Sequence, residues 1–178
     1  LGGRIIEKSD YLAKYINSPE TNFFKKGSNL YNLDSARKLS NKLNNIYLVE
    51  GYMDVVGLSK NGIENAVANL GTSLTDKQII TLNQFFDDIV ICFDGDESGY
   101  KAALRAAENS IRDLKPEKQI SFLFLPTNED PDSFVNKNGK NFFLDFSKQS
   151  KISIHQFIFS HYKKQTENNP SSMAIFDK

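Results

Sequence analysis

The chain of 178 residues is 39% hydrophobic and 25% charged, enough to bury a core, and it has no apolar run of about 18 residues, the length that crosses a membrane. One cysteine, Cys92, and two histidines, His155 and His161, exclude an internal disulfide framework and a Cys/His metal cluster, and suit a reducing, cytosolic setting. The 22 basic and 22 acidic residues are unevenly spread: residues 1–45 carry +4 (eight against four), 46–132 carry −8 (seven against fifteen), and 133–178 carry +4 (seven against three). An acidic middle between basic flanks suits a protein that holds cations centrally and a polyanion around them, although ordinary fluctuation of surface charge gives the same totals.

Residues 1–45 are mixed, with turns at Gly2-Gly3 and Ser18-Pro19 and a helical run near 28–40. The start at Leu1-Gly2-Gly3-Arg4 has no initiating Met and no charged-then-apolar leader, and the end at Asp177-Lys178 stops in mid-pattern. The sequence reads as a piece cut from something longer. From residue 46 to 125, strand and helix alternate. Ile46–Val49 is a short β-prone run ending at Glu50-Gly51, and a helix from Met53 to about Lys60 follows, stopped by Asn61-Gly62. Ala66–Leu70 is a second strand. Thr75 then opens a helix, with Gln78 three residues on to complete a capping box. Ile89–Phe93 is apolar throughout, as in a strand covered on both faces. After Asp94-Gly95-Asp96-Glu97-Ser98-Gly99 comes an alanine-rich helix, roughly 100–113, and then a fourth strand, Ile120–Leu125. Short connections between alternating elements imply parallel pairing with right-handed crossovers. Beyond Pro126 the pattern turns helical, over 132–137, 140–149 and 152 to about 165, before a polar stretch at 166–172.

Open parallel α/β sheets bind ligands beyond the carboxyl ends of their strands. Three of the four predicted strands deliver acid there: Glu50 after the first, Asp94 and Asp96 after the third, Asp130 and Asp132 after the fourth. Clustered carboxylates repel unless a cation neutralises them, and oxygen-only donors select Mg²⁺ or Mn²⁺. Gly51 and Gly95 beside the acids would let a phosphate or ion approach the backbone. For any one of these acids the plainer role is a solvated side chain or a helix cap.

Other motifs fail. Asp94-x-Asp96-x-Ser98-Gly99 begins like a calcium loop, but Arg105 stands where the loop needs its bidentate Glu. No phosphate-loop or dinucleotide fingerprint occurs, and Asp87-Asp88 precedes the third strand instead of ending the first, against a phospho-accepting domain. Helical spacing assigns Phe142, Phe143, Phe146, Phe157 and Phe159 to packing, and Cys92 reads as a packed small side chain.

The runs Leu48-Val49-Glu50-Gly51-Tyr52-Met53-Asp54-Val55-Val56, Asn69-Leu70-Gly71-Thr72-Ser73, Phe93-Asp94-Gly95-Asp96 with Gly99, and Glu129-Asp130-Pro131-Asp132 resemble the Toprim catalytic core of the bacterial DNA primase family. Gly2-Gly3-Arg4, Asn17-Ser18-Pro19-Glu20-Thr21 and Phe24-Lys25-Lys26-Gly27 extend the resemblance over residues 2 to about 145. It implies an α/β Toprim fold with a four-stranded parallel sheet flanked by helices. Residues 1–43 would close a basic N-terminal subdomain of mixed α+β character, 44–126 would be the Toprim domain, and 127–178 would begin a helical subdomain.

The resemblance implies a DNA-directed RNA polymerase that makes short RNA primers from ribonucleoside triphosphates on a single-stranded DNA template in the bacterial cytoplasm. Glu50, Asp94 and Asp96 would be catalytic and metal-binding, Asp54, Asp130 and Asp132 would complete the Mg²⁺ or Mn²⁺ cluster, and Arg4, Lys14 and Lys26 would contact nucleic acid or nucleotide. Lys25, one position off that pattern, reads as a solvated lysine. Zinc is expected only in a domain outside this chain, as is the contact to the replicative helicase. The rivals are another Toprim enzyme, a topoisomerase or nuclease, or a non-catalytic module binding single-stranded DNA or nucleotides. Asp94→Ala and Asp96→Ala should remove ligands without touching the core.

Overall fold

A computed structural model describes residues 2–4, 15–17, 19–22, 24–69, 74–111 and 114–167. The first strands, β1 (Gly2–Arg4) and β2 (Tyr15–Asn17), form a two-stranded antiparallel sheet in which Arg4 is opposite Tyr15. A turn of 3₁₀ helix at Lys26–Ser28 and the four-residue helix α1 (Leu33–Ala36) lead into the main sheet. Its strands are β3 (Asn45–Val49), β4 (Ala66–Ala68), β5 (Asp88–Phe93), β6 (Gln119–Phe124) and β7 (Ile152–Ser153), in the spatial order β4-β3-β5-β6-β7. The first four pair in parallel, as their alternation with helices predicts.

The fifth strand differs from the sequence reading. Ile152 and Ser153 pair antiparallel with Phe122 and Ser121 instead of opening a helix. Helix α7 (Ile154–Glu167) starts only after them. A β-branched Ile at the edge of an existing sheet gains ladder bonds that a helix start does not offer. At the opposite edge, Tyr31 makes an isolated antiparallel bridge to Ala68.

Strand side chains alternate between two cores, since successive residues point to opposite faces. Ile46, Leu48, Ile89, Ile91, Phe93, Ile120 and Phe122 face one layer, which also holds residues of α3 (Asp76–Asn83), α4 (Glu97–Ser110) and α7. Tyr47, Val49, Val90, Cys92 and Leu123 face the other, with residues of α2 (Tyr52–Lys60), α5 (Pro131–Asn138) and α6 (Lys140–Ser150). Cys92 is packed and buried as its position predicts, and burial raises its thiol pKa. Of the late aromatics, Phe143 and Phe157 are buried in these cores and Phe146 packs against one, whereas Phe142 and Phe159 are exposed. No described helix is long and apolar enough to cross a membrane.

Candidate metal centre

Each parallel strand hands the chain to a helix at the same end of the sheet, so the acids that follow β3, β5 and β6 gather at one rim. Glu50, Asp94 and Asp96 are all exposed there. Glu50 has its carboxyl pKa raised, first by partial burial and then by the charges of Asp94 and Asp96. Three carboxylates from adjacent βα units therefore share one field.

Asp54, on the first turn of α2, belongs to a second group. Its pKa is pushed up to about 7, mainly by burial, with Asp130 and Asp94 adding repulsion. The N–H groups of Gly51, at 3.0 Å, and of Asp132 pull the other way by donating to its carboxylate. Asp94 acts on both Glu50 and Asp54, and so links the two groups.

Several of these acids also have structural work. Asp96 is the N-cap of α4: its Oδ1 accepts the Gly99 N–H at 2.7 Å and the Ser98 hydroxyl at 3.0 Å. Those donors hold its pKa below the usual range. Asp130 caps α5 by accepting the Ser133 N–H at 2.7 Å. Asp132 accepts the Asn136 amide at 2.7 Å and lies against Gly57, where any Cβ would overlap its carboxylate. The capping role and the rim position coexist because a helix N-terminus and a strand's carboxyl end coincide in every βα unit.

The glycines serve packing more than ligand access. A Cβ on Gly95 would overlap the Leu125 carbonyl oxygen, and one on Gly99 would overlap that of Asp94. At Gly51 it would stand 2.9 Å from Asp54 Oδ2. Glycine at 95 lets the β5 and β6 ends close together, while at 51 and 99 it lets α2 and α4 start tight against their own strand ends, which is a different reason from the open approach the sequence suggests.

Among the described residues, no three Asp, Glu, His or Cys side chains converge on one ion. The donor set still fits Mg²⁺ or Mn²⁺. These ions keep much of their water and are usually held by one or two carboxylates plus substrate phosphates, not by a closed protein cage. The mutual repulsion at Glu50 is what a divalent cation would relieve.

Of the basic candidates, Lys14 lies outside the described residues and Arg4 is described only as main chain on β1. Lys26 sits on a turn fastened to α3. Its N–H donates to Glu20 Oε1 at 2.9 Å, and its carbonyl accepts the Gln78 amide at 3.1 Å. Gln78 is wholly buried; it also donates to the Asn29 carbonyl at 3.0 Å and accepts the Thr75 N–H at 3.1 Å. The capping-box spacing reveals Gln78, but its second role as the anchor of the Lys26 turn is a contact across 52 residues with no local signature.

A model of the Toprim domain matches residues 44–124, and a model of the DNA primase catalytic core, N-terminal domain, matches residues 1–37. The chain is similar to the DNA primase of Pseudomonas aeruginosa, with 44% identity over 158 residues, covering 89% of this chain and 24% of the relative. It thus spans about a quarter of the length of the curated relatives it matches. Among solved structures it is similar to the E. coli primase catalytic core, with a TM-score of 0.85 and 41% identity over 92% of this chain and 51% of that one. It is equally similar, at a TM-score of 0.85 and 40% identity, to a DnaG primase catalytic domain bound to ssDNA, covering 92% of this chain and 52% of that one.

Proposed function

Because the chain belongs to the bacterial DNA primase family, as the Toprim catalytic core of its RNA polymerase domain, we propose that its carboxylate rim carries out RNA primer synthesis on single-stranded DNA. In this reading residues 1–43 close the N-terminal subdomain, 44–126 are the Toprim domain and 127–178 begin the helical subdomain. The observation that carries the reading is the placement of Glu50 directly after β3 and of Asp94 and Asp96 directly after β5, at the carboxyl ends of two paired parallel strands.

The 3′-hydroxyl of one ribonucleotide attacks the α-phosphate of the next, and pyrophosphate leaves. Glu50, Asp94 and Asp96, with Asp54, Asp130 and Asp132 around them, would hold Mg²⁺ or Mn²⁺. Cations held there would supply charge neutralisation and a more acidic attacking hydroxyl. Glu50, directly after β3 at the rim, is the group placed to accept the hydroxyl proton. Asp96 is kept ionised by the α4 N-terminus and is therefore an acceptor of cations at neutral pH.

Arg4, Lys14 and Lys26 neutralise phosphates of the template or nucleotide. The reaction takes place in the bacterial cytoplasm at the replication fork, with helicase contact and zinc binding assigned to other parts of the whole protein.

The test is labelled ribonucleotide incorporation on single-stranded DNA by the full-length protein, with and without Mg²⁺ or Mn²⁺, beside an Asp94→Asn/Asp96→Asn double variant. Metal-dependent RNA products, lost in the double variant, are expected. Undiminished synthesis by the double variant would remove these acids from the mechanism.

A further inference from the structure

The short turn that carries Asp94 and Asp96 rests at both ends on one aromatic ring. Phe93, the last residue of β5, stacks on Phe124 of β6 with centroids 5.7 Å apart. Tyr100, in the first turn of α4, stacks on the same Phe124 at 6.2 Å. Helix α7 backs this arrangement. Its Phe157 meets Phe124 at 5.7 Å, Phe122 at 5.1 Å and Tyr100 at 5.2 Å. One turn further along α7, His161 Nδ1 is 2.9 Å from the Tyr100 hydroxyl, and its Nε2 is 3.0 Å from the Gln165 amide.

Between those two ends the turn has little slack. The Tyr100 N–H donates to the Asp96 carbonyl at 3.1 Å, and the Gly99 N–H donates to Asp96 Oδ1. Gly99 is so close to the Asp94 carbonyl that even a Cβ would overlap it. A displacement of Tyr100 is therefore passed to both acids. The Tyr100–His161 bond lies at the surface, where a hydrogen bond contributes little to global stability. Its effect is local: it fixes where the first turn of α4 sits.

We propose that α7 positions the metal-binding turn, with Phe157 and His161 holding Tyr100 and, through it, Asp94 and Asp96 in the geometry that takes up Mg²⁺ or Mn²⁺. The inference rests on the metal reading of those acids. Tyr100 and His161 touch neither metal nor substrate in this role; they are positioning residues, as groups behind metal ligands commonly are. The acids of the Toprim domain are then fully shaped only when the first helix-forming stretch after β7 is packed in place.

The experiment measures Mn²⁺ binding to the full-length protein by electron paramagnetic resonance, counting only the binding lost in the Asp94→Asn/Asp96→Asn variant. Tyr100→Phe and His161→Ala should each weaken it by about threefold to tenfold, the scale of one net hydrogen bond, with Tm unchanged. The double variant should be no worse than either single one, since both remove the same contact. His161→Asn, which returns an amide near the Nδ1 position, should recover part of the loss. In primer synthesis the half-saturating Mn²⁺ concentration should rise by the same factor while the rate at saturating Mn²⁺ holds. Unchanged Mn²⁺ affinity in both single variants, or losses that add in the double variant, would overturn the proposal while leaving primer synthesis by wild type as evidence for the primase reading. Weakened Mn²⁺ binding in the variants without any primer synthesis by wild type would uphold the positioning role while the primase reading fell.

Discussion

Asp54 reaches back across the first turn of α2 and accepts the N–H of Gly51, the residue directly after Glu50, at 3.0 Å. The second acidic group is thereby tied to the backbone that carries the first. The tie works against burial, which still pushes the Asp54 pKa up to about 7 from 3.8.

That shift fixes the sign of a pH effect. Between pH 3.8 and about 7 the unfolded chain has an ionised Asp54 while the folded, metal-free chain keeps it protonated. The native state binds the extra proton, so this contribution to stability is full below pH 3.8 and is lost as pH rises to about 7. Thermal melts in EDTA across this range should show the decline, and Asp54→Asn should flatten it. A wild-type profile no steeper than that of Asp54→Asn would remove the buried-acid account.

Asp94→Ala and Asp96→Ala should both abolish metal-dependent synthesis, and Asp96→Ala should also lower stability. Asp96 caps α4 through Gly99 and Ser98, so its removal leaves an N-terminal N–H without its acceptor. Asp96→Ala should therefore melt lower than wild type. This revises the expectation that neither change disturbs the fold. An unchanged Tm in Asp96→Ala would show that the cap contributes nothing measurable.

Gly95→Ala should destabilise the protein by about 1–3 kcal/mol, the usual range for forced overpacking, because its Cβ meets the main chain at Leu125 and Pro126 and no flexible side chain can yield. Denaturant unfolding measures this directly. A variant as stable as wild type would mean that the β5 and β6 ends separate without cost.

Gln78→Ala removes one buried side chain that bonds Thr75, Lys26 and Asn29. The expected loss is about 1–3 kcal/mol, since two part-buried carbonyls are left without their donors. DNA affinity should fall with it as the Lys26 turn loosens. Lys26→Ala, in contrast, should leave Tm alone and reduce the salt slope of DNA binding by about one counter-ion. An unchanged slope would take Lys26 out of the phosphate contacts.

Much of this architecture is legible along the chain. The four parallel strands follow from apolar runs that end in acid, glycine or proline, and the α3 capping box follows from Thr75 and Gln78 at their spacing. The two-residue strand β7 does not, because Ile152 and Ser153 carry no periodicity of their own and are extended only through pairing with Phe122 and Ser121. At the rim, residue type and position reveal which acids gather but not that Asp96 and Asp130 are also caps, which depends on where α4 and α5 begin. Helix α4 starts at Glu97, before the Tyr100 that composition suggests, because the Asp96 cap and not alanine content sets its first turn.

The two margins of the main sheet are finished by short pieces from outside its central stretch. Tyr31 closes the side of β4, and Ile152-Ser153 close the side of β6. A fragment trimmed to residues 44–126 would leave rows of main-chain donors and acceptors open on both sides, and open strand margins recruit other chains. The smallest piece that stays monomeric in solution should therefore run from before Tyr31 to beyond Ser153. For crystallisation or expression, the practical boundary of the catalytic fold is wider than the boundary of its chemistry.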